Sequence, residues 1–320
     1  MLAIEAQGLR KTFSTGVEAV AGIDLAVAEG KIFGFLGPNG AGKTTTTRIL
    51  TTLLRPTAGT ARVAGLDIAT RPHDIRRAIG VALQEAGLDL LATGRELLRL
   101  QGRLYGLHGD QPDDRAAEML ALVGLTDAAD RRVKTYSGGM KRRLDLASAL
   151  IHSPRLLFLD EPTAGLDPAS RAAIWEEIGR LNRDRGITVF LTTQYLEEAD
   201  RLCNRIAIID HGRLVAEGTP ASLKGSIGAH VVTVVVPPER AADAERALAS
   251  IDGLKESRAD ADGLTLFVSD GSAAVASVIR LLDLASIPVG AVSVTAPTLD
   301  EVFLRATGSR LEGASRKEES

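Results

Sequence analysis

The sequence contains a single cysteine, Cys203, among its 320 residues. One cysteine excludes a disulfide framework and any zinc site that needs several cysteines. The formal net charge is −3, so the chain lacks the basic surplus of a protein that coats nucleic acid. Long apolar runs are also missing: the longest β-branched stretch, residues 231–236, is far shorter than the ~20 residues of a membrane span. We therefore expect no disulfide, no membrane span and no nucleic-acid partner.

The N-terminus lacks the apolar core of a secretory signal, since Glu5 lies where that core would be. Apolar residues make up 45% of the chain and charged residues 25%, which excludes general disorder. A length of 320 residues suggests about two domains. These features predict a cytoplasmic protein that reaches a membrane only through a partner.

The chain changes character near residue 228. Before that point, short apolar runs of the kind buried in a parallel sheet, such as residues 32–36 and 155–159, alternate with helical patterns. Beyond it the order is strand, helix, two strands, helix and strand, which fits a small split βαβ domain. We predict an N-terminal domain over residues 1–224 with a helical insert at about 88–150, a C-terminal α+β domain over 229–308 and a flexible tail over 309–320.

A glycine-rich segment after the first of these apolar runs fits the phosphate-loop pattern G-x-x-x-x-G-K-[ST]. Its glycines let backbone amides point at one anion, the following helix adds its positive end, and Lys43 adds a charge for the outer phosphates. The hydroxyl of Thr44 is suited to bind Mg²⁺. An ordinary glycine-rich turn is the alternative, but the preceding strand is the context that phosphate binding requires. The predicted ATP-binding residues of this segment are Gly37, Pro38, Asn39, Gly40, Ala41, Gly42, Lys43, Thr44 and Thr45.

Two acidic residues, Asp160 and Glu161, follow the second apolar run. In α/β sheets the carboxyl ends of parallel strands face the ligand crevice. Asp160 would hold Mg²⁺, directly or through water, and Glu161 would orient and deprotonate the attacking water. A solvated strand end is the alternative, and the phosphate loop makes it the weaker one.

Residues 136–140 indicate a second anion site. Ser137 is a suitable N-cap for the helical pattern that follows, and Gly138 and Gly139 leave amides exposed at the helix N-terminus. If the two anion sites lie far apart in one chain, a γ-phosphate can use both only when two chains meet head to tail. An ordinary glycine turn into a helix is the alternative.

Over about residues 1–220 these motifs resemble the ATP-binding subunits of ABC transporters. Besides the phosphate loop, Gln84 matches the Q-loop, and residues 136–140 resemble the signature, with Tyr136 for the first Leu and Met140 for the usual Gln. Residues 157–161 match the Walker B strand, and the segment that ends at Asp167 resembles the D-loop. Other P-loop ATPases lack the signature, so its occurrence just before Walker B and the D-loop is specific.

The resemblance implies an α/β P-loop NTPase fold, with a mixed sheet core and a helical subdomain, followed here by the small α+β domain. It also implies a homodimer that holds two ATP–Mg²⁺ between the phosphate loop of one chain and the signature of the other. The signature would then contribute to the site in trans through Tyr136, Ser137, Gly138, Gly139 and Met140, of which Ser137, Gly138 and Gly139 would bind the γ-phosphate.

Further roles implied by the resemblance concern single residues. Gln84 would contact Mg²⁺ or the attacking water and sense a membrane partner through the helical insert. Phe13 lies where the family has an aromatic residue that stacks on adenine, and Val20 would pack on the same ring. A core position is the alternative for Phe13. The family usually has a histidine after the strand that follows Walker B; Gln194 stands there and cannot titrate, so Glu161 is the expected base and hydrolysis is expected to be slow but real.

Residues 192–200 and 299–304 narrow the resemblance to drug-resistance export ATPases of the daunorubicin type, which pair with a separate membrane subunit. This implies an ATP-hydrolysing subunit on the cytoplasmic side of the cell membrane that powers export of a drug or another hydrophobic molecule. A soluble ABC ATPase without a transporter is one alternative. An ATP-state sensor that does not hydrolyse is another, and Glu161 argues against it.

Other marked residues favour ordinary structural roles. We expect Cys203 to be a small buried apolar residue. Lys141, Arg142 and Arg143 are expected to form a solvated helix face, and the acidic residues 110–114 to lie in a loop of the insert.

Overall fold

The computed structural model describes residues 1–84, 87–227, 230–260, 263–295 and 297–308. These residues form two compact units, Met1–Thr219 and a second unit that begins at Pro220. The tail predicted over residues 309–320 lies outside the described residues. Within the described ranges, no helix combines the length and apolar character needed to cross a membrane.

The first unit alternates strands and helices. Its strands are β1 (Leu2–Thr12), β2 (Glu18–Ala28), β3 (Ile32–Leu36), β4 (Ala58–Val63), β5 (Leu66–Asp67), β6 (Ile79–Ala82), β7 (Leu156–Asp160), β8 (Thr188–Thr193), β9 (Arg205–Asp210) and β10 (Arg213–Gly218). Its helices are α1 (Lys43–Leu50), α2 (Pro72–Ala78), α3 (Gly94–Leu104), α4 (Gln111–Leu122), α5 (Gly138–Ala149), α6 (Pro168–Arg185) and α7 (Leu196–Leu202).

The main sheet has the spatial order β10-β9-β3-β8-β7-β6. Neighbouring strands are parallel except β10, which pairs antiparallel with β9. Strands β3, β7 and β8 are buried along their whole length, as their near-continuous apolar sequences predict. Because the parallel strands share one direction, the segments that follow β3, β6, β7 and β8 all leave from the same edge of the sheet.

A second, antiparallel sheet has the order β2-β1-β4-β5 and shares one apolar core with the main sheet. Within this core, Phe190 of β8 stacks on Phe33 with ring centroids 5.9 Å apart, and Phe158 lies 5.4 Å from Phe190. Cys203 is buried at the end of α7, so close to Gly34 that a Cβ at Gly34 would lie 2.6 Å from its Sγ. Burial raises the pKa of the Cys203 thiol. The expectation of a small buried residue is confirmed.

The helical insert begins with α3, whose N-terminus carries a capping box: the Glu96 amide donates to Thr93 Oγ1 (3.2 Å) and the Thr93 amide to Glu96 Oε2 (2.8 Å). The prediction of a loop at residues 110–114 is wrong for Asp113 and Asp114, because both lie in the first turn of α4. Pro112 starts this helix well, and acidic side chains at a helix N-terminus are stabilised by its dipole.

The second unit has the predicted split βαβ order. Its elements are α8 (Pro220–Ile227), β11 (His230–Val235), α9 (Ala241–Leu248), β12 (Leu254–Asp260), β13 (Gly263–Val268), α10 (Gly271–Leu284), β14 (Ala291–Thr295) and α11 (Leu299–Thr307). The strands pair antiparallel in the order β12-β13-β11-β14. One apolar core joins this sheet to α9 and α10.

The domain boundary predicted after residue 224 falls inside α8 and is corrected by the structure, which divides the chain before Pro220. The physical reason is that α8 packs on α11, with Leu223 and Ile227 buried, and Arg305 Nη1 donates to the Ser226 carbonyl (3.3 Å). Gly and Ser near the end of α8 look like a linker in the sequence, but they belong to this helix.

Candidate active site

The phosphate loop connects β3 to α1, as predicted, and two of its glycines are required by sterics. A Cβ at Gly37 would lie 2.4 Å from the Ile209 carbonyl oxygen, and a Cβ at Gly42 would lie 2.3 Å from that of Ala19. Gly42 also has φ +105°, which side chains disfavour, and it caps α1. The loop is therefore pressed between β2 and β9, with its backbone fixed at the N-terminus of a helix.

Lys43 lies folded over this loop. Its Nζ donates to the carbonyl oxygens of Gly37 (2.8 Å) and Pro38 (3.0 Å) and forms an ion pair with Glu161 Oε1 (3.1 Å). Both partners of the ion pair are buried. The phosphate loop and the segment after β7 are thus held together by a charge pair in a poorly solvated position.

Glu161 is held in a strained position. Its φ is +48°, a region that costs a residue with a side chain about 1–3 kcal/mol. Its amide donates to both the carbonyl oxygen (3.1 Å) and Oγ1 (3.0 Å) of Thr192. Gln84, just beyond β6, donates from Nε2 to Glu161 Oε2 (3.2 Å). The predicted residues Lys43, Gln84 and Glu161 therefore meet through both oxygens of one carboxylate.

Asp160 ends β7 and is almost fully buried. Its Oδ1 accepts a hydrogen bond from Thr192 Oγ1 (2.5 Å), whereas its Oδ2 is buried with no hydrogen-bond partner among the described residues. A buried, unpaired carboxylate oxygen next to a phosphate loop suits a cation or an ordered water as its missing partner. Sequence reasoning missed Thr192 as a site residue, because nothing in the segment 192–200 indicates its contacts to Asp160 and Glu161.

The cleft around these residues contains most of the predicted ATP-binding set. It is lined by Ala19, Pro38, Asn39, Gly40, Gly42, Lys43, Thr44, Thr45, Gln84 and Glu161. Phe13 lies outside this lining, in the turn between β1 and β2, where its ring is 39% exposed and Lys11 Nζ is 5.5 Å from the ring centroid. Ala41 is buried beneath the loop.

The prediction that Val20 packs on a bound base is wrong. Val20 is fully buried in the core, and Ala19 lines the cleft instead. The reason is an irregularity in the pairing of β1 with β2: Lys11 pairs with Val20 but Thr12 pairs with Glu18, so Ala19 is the extra residue. A bulge of this kind changes which side chains face the core.

The signature lies at the N-terminus of α5. Ser137 is the N-cap, with Oγ accepting from the Met140 amide (3.2 Å), and Ser137 and Gly138 are exposed. Tyr136 differs from the expectation of a ligand contact: its side chain is buried and its hydroxyl donates to the Ala128 carbonyl (2.6 Å). Among the first three signature residues, Ser137 and Gly138 are therefore the ones that can face a ligand.

Asp167 is the N-cap of α6 and lies next to the signature. Hydrogen bonds from the Ser170 hydroxyl (2.6 Å) and amide (2.9 Å) lower the pKa of its carboxyl. A Cβ at Gly139 would lie 2.9 Å from Ser170 Oγ, so the two helix N-termini are in close contact.

Gln194 lies directly after β8 and is half-buried. The carbonyl of the adjacent Thr193 accepts a hydrogen bond from the Gly37 amide (3.2 Å).

Arg142 does not lie on a solvated helix face, contrary to the expectation for residues 141–143. Its guanidinium is buried among backbone carbonyls behind the acidic residues. Arg143 keeps part of its surface and donates to the Val123 carbonyl (3.0 Å). Successive helix positions are about 100° apart, so three adjacent basic residues cannot share one face.

Comparison with known proteins decides the family. The family model of ABC transporters matches residues 20–164. The family model of the DrrA1-3-like ATP-binding protein C-terminal domain matches residues 218–307. The daunorubicin/doxorubicin resistance ATP-binding protein DrrA of Streptomyces peucetius is 48% identical over 99% of this chain and 96% of its own length. This chain belongs to the ATP-binding subunits of ABC transporters. Within them it is similar to the daunorubicin/doxorubicin resistance proteins, as the sequence predicts.

Other ABC subunits support the same assignment. The Nod factor export ATP-binding protein I of Rhizobium sp. (strain N33) is 39% identical over 97% of this chain and 99% of its own length. Among solved structures, the dimeric bacterial ABC transporter cassette MJ0796 superposes with a TM-score of 0.63 and 27% identity over 68% of this chain and 98% of its own. The first unit therefore has the ABC ATPase fold of the MJ0796 cassette, and the prediction of that fold is confirmed.

Proposed function

We propose that this ABC subunit binds ATP–Mg²⁺ at the phosphate loop, hydrolyses it as a homodimer and thereby powers export of a drug or another hydrophobic molecule through a separate permease. The observation that carries the proposal is the convergence of Lys43 and Gln84 on Glu161 at the carboxyl edge of the sheet, with Lys43 Nζ 3.1 Å from Oε1 and Gln84 Nε2 3.2 Å from Oε2. Export of such a molecule is supported by the names of the relatives, which are resistance and export proteins.

The residues at this edge fit Mg²⁺ held together with nucleotide phosphates. Mg²⁺ prefers oxygen ligands and is commonly held by one or two carboxylates plus substrate phosphates. The unpaired Oδ2 of Asp160 and the hydroxyl of Thr44 would supply protein oxygens, with Gln84 close by. Such an ion neutralises developing charge on the transferred phosphoryl group.

Hydrolysis would then depend on an exchange of partners. A phosphate oxygen that reaches Lys43 competes with Glu161 for the same ammonium. Once displaced, Glu161 keeps its hydrogen bond from Gln84 and is free to orient a water and accept its proton. The Gly40 and Gly42 backbone and the start of α1 would hold the phosphates in the meantime.

The second half of each site would come from the other copy. Ser137 and Gly138 are exposed at the N-terminus of α5, where amides favour an anion. The dimeric state of the MJ0796 cassette supports this arrangement. Gly139 and Asp167, at the neighbouring N-termini of α5 and α6, would then lie close to the contact between the two copies.

Gln194 is proposed to donate its amide hydrogen bond to the γ-phosphate. Gln194→Ala is then expected to lower kcat about 10-fold with a small change in KM, as for loss of one hydrogen bond to a charged group. Gln194→His is expected to raise kcat, because an imidazolium adds positive charge. Steady-state ATPase assays measure both. Unchanged turnover in both variants would remove Gln194 from the mechanism.

A groove of the first unit is proposed to dock a cytoplasmic segment of the permease and so hold the subunit at the inner face of the membrane. The groove lies between α3 and β6, with Leu53, Leu97, Leu100 and Tyr105 among its lining. Leu100 is 59% exposed, although it is apolar. Leu83 also lines the groove, so an occupant would touch the segment that carries Gln84.

Leu100→Glu tests the groove. The variant is expected to lower recovery of the subunit in washed, permease-containing membranes at least about 10-fold, because a carboxylate would have to be desolvated at an apolar contact. Leu284→Glu is the matched control: Leu284 is 76% exposed and belongs to the second unit. Equal recovery of wild type in washed membranes with and without a permease would contradict the docking proposal, and sedimentation with ribosomes or DNA would instead favour a soluble ABC ATPase.

A further inference from the structure

Arg142 is a buried cation that the proposed mechanism does not use. It lies on α5, five residues after the N-cap Ser137, and points into the protein instead of toward solvent. Burial lowers the pKa of its guanidinium, and its acidic partner Asp145, one turn further along, counteracts this. A buried arginine needs several acceptors to offset its lost hydration.

The acceptors of Arg142 are the backbone carbonyls that flank the catalytic side chains. Its Nε donates to the Pro162 carbonyl (2.8 Å) and its Nη2 to the Asp160 carbonyl (3.0 Å), which lie on either side of Glu161. Its Nη1 donates to the Leu83 carbonyl (2.5 Å), directly before Gln84. One rigid, planar group therefore fixes both chain segments whose side chains meet at the Gln84–Glu161 hydrogen bond.

Asp145 orients this group. Its Oδ2 accepts from Arg142 Nη1 (3.0 Å), and both side chains are nearly buried. Burial raises the pKa of Asp145 to about 6, and the charge of Arg142 opposes that rise. Asp145 also lines the groove between α3 and β6.

We infer that Arg142 is a positioning residue for ATP hydrolysis, which holds Gln84 and Glu161 in register with each other and with the signature helix. This inference rests on the proposed role of Glu161. Arg142 touches neither the phosphate loop nor Lys43 in the hydrogen bonds above, so its loss should affect the hydrolytic step more than ATP binding. A side chain that only stabilised the fold would not separate these two quantities.

The test compares kcat and KM for ATP of the full-length chain carrying Arg142→Met or Arg143→Met. Arg142→Met is expected to lower kcat about 10- to 100-fold, as for displaced catalytic groups, with KM within about twofold. Arg143→Met, on the same helix with carbonyl partners at Val123 and Gly124, is expected to keep wild-type kcat. Arg142→Lys retains the charge and is expected to recover part of the lost kcat.

Arg142→Met leaves Asp145 as an unpaired buried acid, so the double variant Arg142→Met/Asp145→Asn repeats the measurement without that charge. Equal kcat in the Arg142 and Arg143 variants would overturn the inference, as would a loss of ATP affinity proportional to the loss of kcat. Glu161→Gln separates this result from the proposed function. If that variant loses hydrolysis while the Arg142 variants keep it, only the inference fails; if Glu161→Gln hydrolyses ATP at the wild-type rate, the proposed role of Glu161 in that function fails as well.

Discussion

Glu161→Gln is expected to lower ATP hydrolysis at least about 100-fold while ATP binding becomes tighter. The amide of glutamine cannot accept the proton of the attacking water. It also cannot form an ion pair with Lys43, so the lysine that contacts Glu161 at 3.1 Å would be free for a phosphate oxygen. Phosphate release measures the first effect. Retention of labelled ATP after rapid filtration measures the second.

The trapped complex should also be a dimer in size-exclusion chromatography with ATP, because in the proposed arrangement each bound nucleotide needs the signature of a second chain. Glu197→Gln is a suitable control, since Glu197 is an exposed acid in the first turn of α7. A Glu161→Gln chain that binds ATP as a lone protomer would contradict the shared site. A chain that still releases phosphate at the wild-type rate would contradict the role of Glu161.

Mixing two inactive variants is expected to restore activity. Lys43→Met removes the phosphate-loop charge, and Gly138→Asp puts a carboxylate where the signature amides are proposed to meet a phosphate of the partner's site. The aspartate can be accommodated, because among the described residues a Cβ at Gly138 would meet only Leu166 Cδ2, at 3.5 Å, and an acid at a helix N-terminus is favourable. Each variant alone should be nearly inactive as a homodimer.

In an equal mixture, half of the randomly formed dimers combine both variants, and each of these has one complete site of two. The expected rate is therefore about a quarter of the wild-type rate. ATPase assays across mixing ratios measure it, and Gly138→Ala, which adds only a methyl group, is the control that should stay active. If the mixture is no faster than the sum of its parts, the two halves of the site are not shared between chains.

The motifs of the site could be predicted from the sequence because their chemistry is local. The phosphate loop needs its glycines within a few residues of Lys43, and Asp160 and Glu161 need only a buried strand before them. Parallel strands then bring these segments to one edge without further information. The order of strands and helices in the second unit followed from hydrophobic periodicity.

The errors have a different physical origin, since each depended on contacts between distant segments. One irregular pairing between β1 and β2 places Ala19, and not Val20, at the cleft. Arg142 resembles its neighbour Arg143 in sequence, yet its burial depends on the carbonyl groups of Leu83, just after β6, and of Asp160, at the end of β7. The boundary predicted after residue 224 was wrong because α8 packs against α11 and so belongs to the second unit. No local pattern encodes any of these partners.

The buried position of Cys203 has a practical consequence for spectroscopy. Maleimide and similar reagents attack exposed thiolates, and Cys203 is both enclosed against Gly34 and shifted toward its protonated form. The natural chain can therefore serve as its own unreactive background. A cysteine introduced in place of the 72% exposed Leu104 would accept a single fluorophore, and that dye would report whether the helical insert changes its surroundings during nucleotide turnover.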